Sequence, residues 1–525
     1  MRKIILSLSL IGVILLSVVI FLQPTETSEA RLTLLKEKYA KKHVPSVDHS
    51  KLPELQKNFA TPQEVTATCI SCHTERHTEI MKSSHWNWER EEYIEGRGIV
   101  RIGKGNAVNN FCIGTQGNEQ SCAKCHIGFG MTDSMFTYTD PKNVDCMVCH
   151  DNSGTYSKGN ELAGYPTANL NLTEIAQHIG RPKRDNCGTC HFFGGGGNNV
   201  KHGDLEKSMF SPDKSVDVHM AADGVDLVCV DCHTAENHQM LGKVYSLSSM
   251  NRDRSSCEQC HTNEPHAESM LNEHTVKVAC QSCHIPEYAK VNSTKMSWDW
   301  STAGKLRNGE PFHIEDSLGN HTYLSIKGTF TWDRNVKPDY IWFNGTADHY
   351  LLGDVVNDTT KPLKINTLKG SYSDHDSKII PVKIHKARQP FDPVNKILIQ
   401  PKLFSTEKGE GALWKDFDWQ RASRIGMEDV NLPFSGQISF IETEMYWPLN
   451  HMVSSKEKTV QCIECHTRDN GRLAGLNDFY MPGRDYNSLV ETAGVGMILL
   501  TFLGVATHGT VRVVSSRKKK KSQEV

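Results

Sequence analysis

The sequence predicts a mainly α fold with much irregular structure, wrapped around bound groups rather than around one side-chain core. A β-containing insertion and a C-terminal transmembrane helix complete the expected fold. Three observations predict this. The motif Cys-x-x-Cys-His occurs eight times in 525 residues, and seven copies crowd between Cys69 and His284. A motif-free stretch follows, rich in aromatic and β-branched residues with Gly and Asn breaks, as in HTYLSIKGTFTWDR. An uncharged apolar run, Thr492 to Val511, then precedes the basic cluster RKKKK.

The motifs are Cys69–Cys72–His73, Cys122–Cys125–His126, Cys146–Cys149–His150, Cys187–Cys190–His191, Cys229–Cys232–His233, Cys257–Cys260–His261, Cys280–Cys283–His284 and Cys462–Cys465–His466. Sixteen of the 17 cysteines are consumed. This spacing is how haem c is attached: two thiols add across the porphyrin vinyls, and the adjacent histidine ligates the iron. Zinc sites would pair cysteine clusters without an invariable following histidine. A disulfide framework would not repeat one spacing so often. The cofactors expected are therefore eight covalently bound haem c. Little chain is left per macrocycle in the crowded region, so the haems must supply much of its interior.

Each iron needs a second ligand or an open face. Seven histidines are placed to serve as distal ligands: His85, His202, His219, His238, His266, His274 and His451. Paired histidines suit low-potential electron-transfer haems. One iron is left over, and Lys201 is the candidate for it. Its amine binds metal only when deprotonated, which a dry pocket favours. Consecutive residues in extended chain point to opposite sides, so Lys201 and His202 can address two different haems. The run Gly194–Gly197 would let the backbone pass close to a macrocycle. On the residues alone, a solvated loop lysine is the plainer reading of Lys201.

The chain ends suggest export. A basic start and the apolar run Ile4–Leu22 make residues 1–30 a signal peptide or an uncleaved N-terminal anchor. Residues 31–65 read as a linker, 66–290 as the multihaem core carrying seven motifs, and 291–400 as the haem-free insertion. Residues 401–487 read as a helical segment carrying the eighth motif, 488–513 as a transmembrane helix, and 514–525 as a basic cytoplasmic tail. Basic residues remain on the cytoplasmic side, which puts the bulk of the protein outside, in the periplasm and anchored to the inner membrane. Lys+Arg and Asp+Glu nearly cancel, 59 against 61, so no basic field calls for nucleic acid.

Taken together, the eight motifs, the long gap before the last, and the segments GGGGNNVKHGDL, DVHMAADG and LNEHTVKVACQSCHIP resemble the octahaem tetrathionate reductase family. Its wider relatives are the pentahaem cytochrome c nitrite reductases and hydroxylamine oxidoreductases. The resemblance implies that the second haem along the chain is catalytic, attached at Cys122 and Cys125 and ligated by His126. It implies Lys201 as the distal ligand there and a cysteine, Cys112, near the site. Cys112 is otherwise read as a buried, inert thiol. Calcium beside the catalytic haem, as in the nitrite reductases, has no motif here.

Two functions follow from different classes. One is a reductase that draws electrons from a quinol-linked membrane or periplasmic donor and reduces tetrathionate, nitrite or hydroxylamine. The other is a non-catalytic conduit with every iron permanently six-coordinate. Oxidation of hydroxylamine reverses the first and depends, in the relatives, on a tyrosine cross-linked to the catalytic haem.

Overall fold

The computed structural model describes residues 33–34, 37, 46–158, 161–242, 250 and 252–521, with the side chains of 518–521 excepted. The proposed signal or anchor at 1–30 lies outside the described residues. The chain divides into two compact units, 1–459 and 460–525.

In the first unit, each attachment motif closes a single turn. Backbone N–H groups of His73, His233 and His261 donate to the carbonyls of Cys69, Cys229 and Cys257 at 2.8, 2.8 and 2.9 Å. Longer helices form only where caps support them. Pro62–Cys72 starts with Thr61 accepting from the Glu64 N–H and Pro62 in the first turn. The apolar clusters here are small. One gathers Leu55, Phe59, Val65, Phe129, Met147 and Ile175. Residues 49–59, expected as linker, are thus packed into the body of the unit.

The second half of the unit is organised differently. Nine strands form one sheet, whose backbone is the 15-residue strand Lys378–Asp392. Ser439–Pro448 pairs with it antiparallel from Val382↔Pro448 to Phe391↔Ser439, and Thr294–Asp299 runs parallel on its other edge. The sheet therefore extends well past residue 400, into the segment expected to be helical. In Ser439–Pro448, Thr443, Met445 and Trp447 alternate inward, the period-two burial of a strand. Between residues 401 and 450, helix is confined to Leu413–Asp416 and Trp419–Asp429. Trp298, Trp300, Phe330, Phe391, Leu398 and Trp447 build the large core. Val108, Phe111, Ile113 and Val200, from the motif-rich region, insert into it.

The second unit holds the turn Cys462–Cys465 and the helix Ser488–Lys521. His466 Nδ1 donates to the Pro482 carbonyl at 2.7 Å. Arg484 donates to the carbonyls of Leu473, at 3.1 Å, and Leu476. Within the helix, Ser488–Arg517 is long and apolar enough to cross a membrane, with a mean hydropathy of 1.9 and an apolar window exposed throughout.

Candidate haem and substrate site

Among the described residues of the first unit, six motif histidines each stand opposite a second histidine. Ring centres are 6.3 Å apart for His49 and His73, 6.4 Å for His85 and His191, and 6.4 Å for His150 and His238. They are 6.1 Å apart for His219 and His261, and 6.2 Å each for His233 with His451 and His266 with His284. An imidazole nitrogen lies about 2 Å from a metal it binds. Its ring centre is roughly 1 Å further out, so two rings sharing one metal have centres about 6 Å apart. Every pair joins one motif histidine to one histidine outside the motifs. The residues present therefore fit one iron between each pair.

The Nδ1 atoms follow the same logic. His150 donates to the Gly180 carbonyl at 2.9 Å and His233 to the Leu241 carbonyl at 2.9 Å. His266 faces Asn272 Oδ1 at 3.1 Å. With Nδ1 held by the protein, Nε2 is turned to the partner ring.

The pairing places several sequence-singled residues and adds one. His85, His219, His238, His266 and His451 each face a motif histidine. His49 does too, and no local signal in the sequence marked it. His202 is not in this set: its ring stands edge-on to Trp447 at 5.0 Å. His274 closes the helix Ser269–His274 with its Nδ1 on the Met270 carbonyl at 2.7 Å.

The motif cysteines also meet across motifs. The side chains of Cys69 and Cys146, Cys125 and Cys190, Cys187 and Cys229, and Cys257 and Cys280 lie beside one another. Cys187 also feels the charge of Cys149, and Cys232 that of Cys260. The motifs thus run one, three, four, five, six, seven in space, and the second branches from the fourth.

That second motif differs from the rest. His126 is fully buried, and Trp86, Trp88, Phe136 and Tyr138 ring it at 5.2 to 6.0 Å. Its Nε2 meets the Trp86 carbonyl at 2.9 Å while its Nδ1 is buried without a partner. Ligation through Nε2 requires the ring to turn off that carbonyl. Burial pushes the ring down to about 3, so it is neutral.

Lys201 comes to the same motif from the glycine run. Gly195 and Gly196 have φ of +79° and +94°, and a Cβ on Gly195 would meet Val200 at 3.0 Å. The turn folds the chain back so that the Lys201 stem lies over Gly194. Its ammonium stands 4.8 Å from the Trp447 ring centre. Burial, and then the charge of Lys104, push it down to about 8. The sheet fixes the backbone: Lys383 Nζ donates to the Val200 and Lys201 carbonyls at 2.8 and 3.2 Å and to Thr294 Oγ1 at 2.7 Å. Trp447 lies directly across from Lys383 in the strand register. Cys112, partly buried, packs against the sheet core and lies near Cys122 and Lys295.

The family described as bacterial cytochrome c matches residues 295–469, so the sheet is part of what the chain shares with it. An uncharacterized protein of Archaeoglobus fulgidus is 28% identical over 245 residues, spanning 37% of this chain and 80% of the other. The crystal structure of octahaem cytochrome c from Shewanella oneidensis is 42% identical, covering 84% of this chain and 98% of that one, with a TM-score of 0.77. This chain is a multihaem cytochrome c and belongs to the octahaem cytochrome c family.

Proposed function

We propose that the chain is an exported reductase carrying eight haem c groups, one on each motif, with Lys201 as displaceable distal ligand at the second. The substrate is a small oxidised inorganic species, tetrathionate, nitrite or hydroxylamine. The observation that carries this reading is the contrast between motifs: six motif histidines face a second histidine, whereas the second motif is approached by a lysine. When bound, haem supplies one-electron chemistry.

The residues divide the remaining work. Burial lowers the Lys201 amine to about 8, which makes it far easier to deprotonate for coordination than an exposed lysine. Lys383 anchors the backbone on either side of the Val200–Lys201 peptide, so the amine swings from a fixed base. Lys104 adds positive field beside Lys201 and Cys125, which favours an anionic substrate. Ser488–Arg517 supports membrane anchoring, with the basic cluster on the cytoplasmic side.

Dye-coupled turnover of the haem-loaded protein with tetrathionate, nitrite and hydroxylamine tests the proposal. Rapid turnover of one substrate identifies its class. Full haem loading with reducible haems and no turnover of any of the three removes the reductase in favour of a conduit.

A further inference from the structure

The paired histidines are not backed alike. His150 and His233 lean on backbone carbonyls and His266 on an amide oxygen, all neutral acceptors. Two others lean on carboxylates. His451 Nδ1 lies 3.2 Å from Asp204 Oδ2, and that oxygen also accepts from the Asn450 and His451 N–H groups at 2.7 and 2.9 Å. Asp204 is 1% exposed, so its charge is little screened. His238 Nδ1 lies 2.8 Å from Glu79 Oε2, and Glu79 is shared with Arg76 at 2.9 Å. The fourth motif is different again. No carboxylate lies on the His85 or His191 ring among the described residues, and the two rings stand opposite each other with centres 6.4 Å apart.

These three motifs are neighbours. Cys187 of the fourth lies beside Cys229 of the fifth and near Cys149 of the third, while Cys190 lies beside Cys125 of the second. A carboxylate accepting the Nδ1 proton makes an imidazole a more basic ligand, which favours ferric over ferrous iron.

We propose that Asp204 and Glu79 are positioning residues that hold the fifth and third centres at lower reduction potential than the fourth. Electrons entering from either side then collect between His85 and His191, next to the second motif. Asp204 lies three residues beyond Lys201 on the same segment, so one stretch of chain serves both the displaceable amine and the carboxylate. The inference rests on the ligand assignment proposed above.

The test is a spectroelectrochemical titration of the full, haem-loaded chain, with electron paramagnetic resonance of the oxidised form. In Asp204→Asn one component shifts tenfold toward the reduced form, which is about 59 mV for one electron, and Asp204→Glu returns most of it. Glu79→Gln moves a different component in the same direction by less, because Arg76 already offsets that charge. If both neutral variants titrate like the parent, the proposal is overturned. His451→Met separates that failure from failure of the ligand assignment. A changed low-spin signal in His451→Met with unmoved Asp204→Asn and Glu79→Gln curves sinks only the tuning. An unchanged signal in His451→Met sinks the assignment and the tuning with it. Should Asp204→Asn not fold, Glu79→Gln decides alone.

Discussion

The motif-rich half and the sheet half of the first unit solve the same problem by different means. Around residues 46–290 the apolar clusters are small, helices are mostly single turns, and histidine rings stand apart at metal-sharing distance. Around residues 291–450 a nine-stranded sheet buries a row of aromatic side chains with no motif at all. The first region depends on its bound groups for an interior, and the second carries its own. Lys201 lies where they meet, its backbone pinned from the strand Lys378–Asp392 and its amine over Trp447 of the next strand. The sheet gives a movable ligand a rigid mount.

The largest expected effect breaks this comparison outright. Chain made without haem attachment should lose amide protection across 46–290 while the paired strands Lys378–Asp392 and Ser439–Pro448 keep it. Equal loss in both would show that the sheet has no independent stability. Next, Trp447→Ala removes a side chain only 1% exposed and should cost about 3–5 kcal/mol in chemical denaturation. A cost under about 1 kcal/mol would mean that the strand does not organise the core.

Lys201→Leu should lower turnover by about 10²-fold, the scale of losing one preorganised polar group at a reacting centre, while the histidine-paired haem signals stay intact. Unchanged turnover would move the catalytic site elsewhere. The smallest effect concerns Lys295, 5% exposed among Trp298, Phe330 and Trp332 at 4.2, 3.4 and 4.9 Å. Burial, then Lys327, holds its pKa well below 10.5. Between that lowered value and 10.5 the unfolded chain carries the extra proton, so stability rises with pH there and is lost as pH falls. Lys295→Met should remove this slope and gain about 1 kcal/mol at pH 7. A variant that is less stable and keeps the slope would mean the amine is not the source.

Much of the site was legible because covalent chemistry fixes a local spacing: each motif reads directly from the chain, and so does the apolar helix. The glycine run before Lys201 was informative because positive φ at Gly195 and Gly196 is a backbone demand. Distal ligands were harder. A second axial ligand is set by where the chain passes a macrocycle, so His49 could not be marked by its neighbours, and His202, beside Lys201, stands edge-on to Trp447. The strand Ser439–Pro448 was readable in principle from the alternation of Thr443, Met445 and Trp447. Glu442 and Glu444 alternate with these inward residues, Glu442 exposed and Glu444 part-buried.

The central claim is that one iron, at the second motif, takes Lys201 where the others take histidine. Near-infrared magnetic circular dichroism of the oxidised, haem-loaded protein tests it most directly, because histidine–lysine and histidine–histidine ligation give separate bands. The expected result is a minor histidine–lysine band that vanishes in Lys201→Leu while the main band is unchanged. Histidine–histidine bands alone, identical in parent and variant, would contradict it.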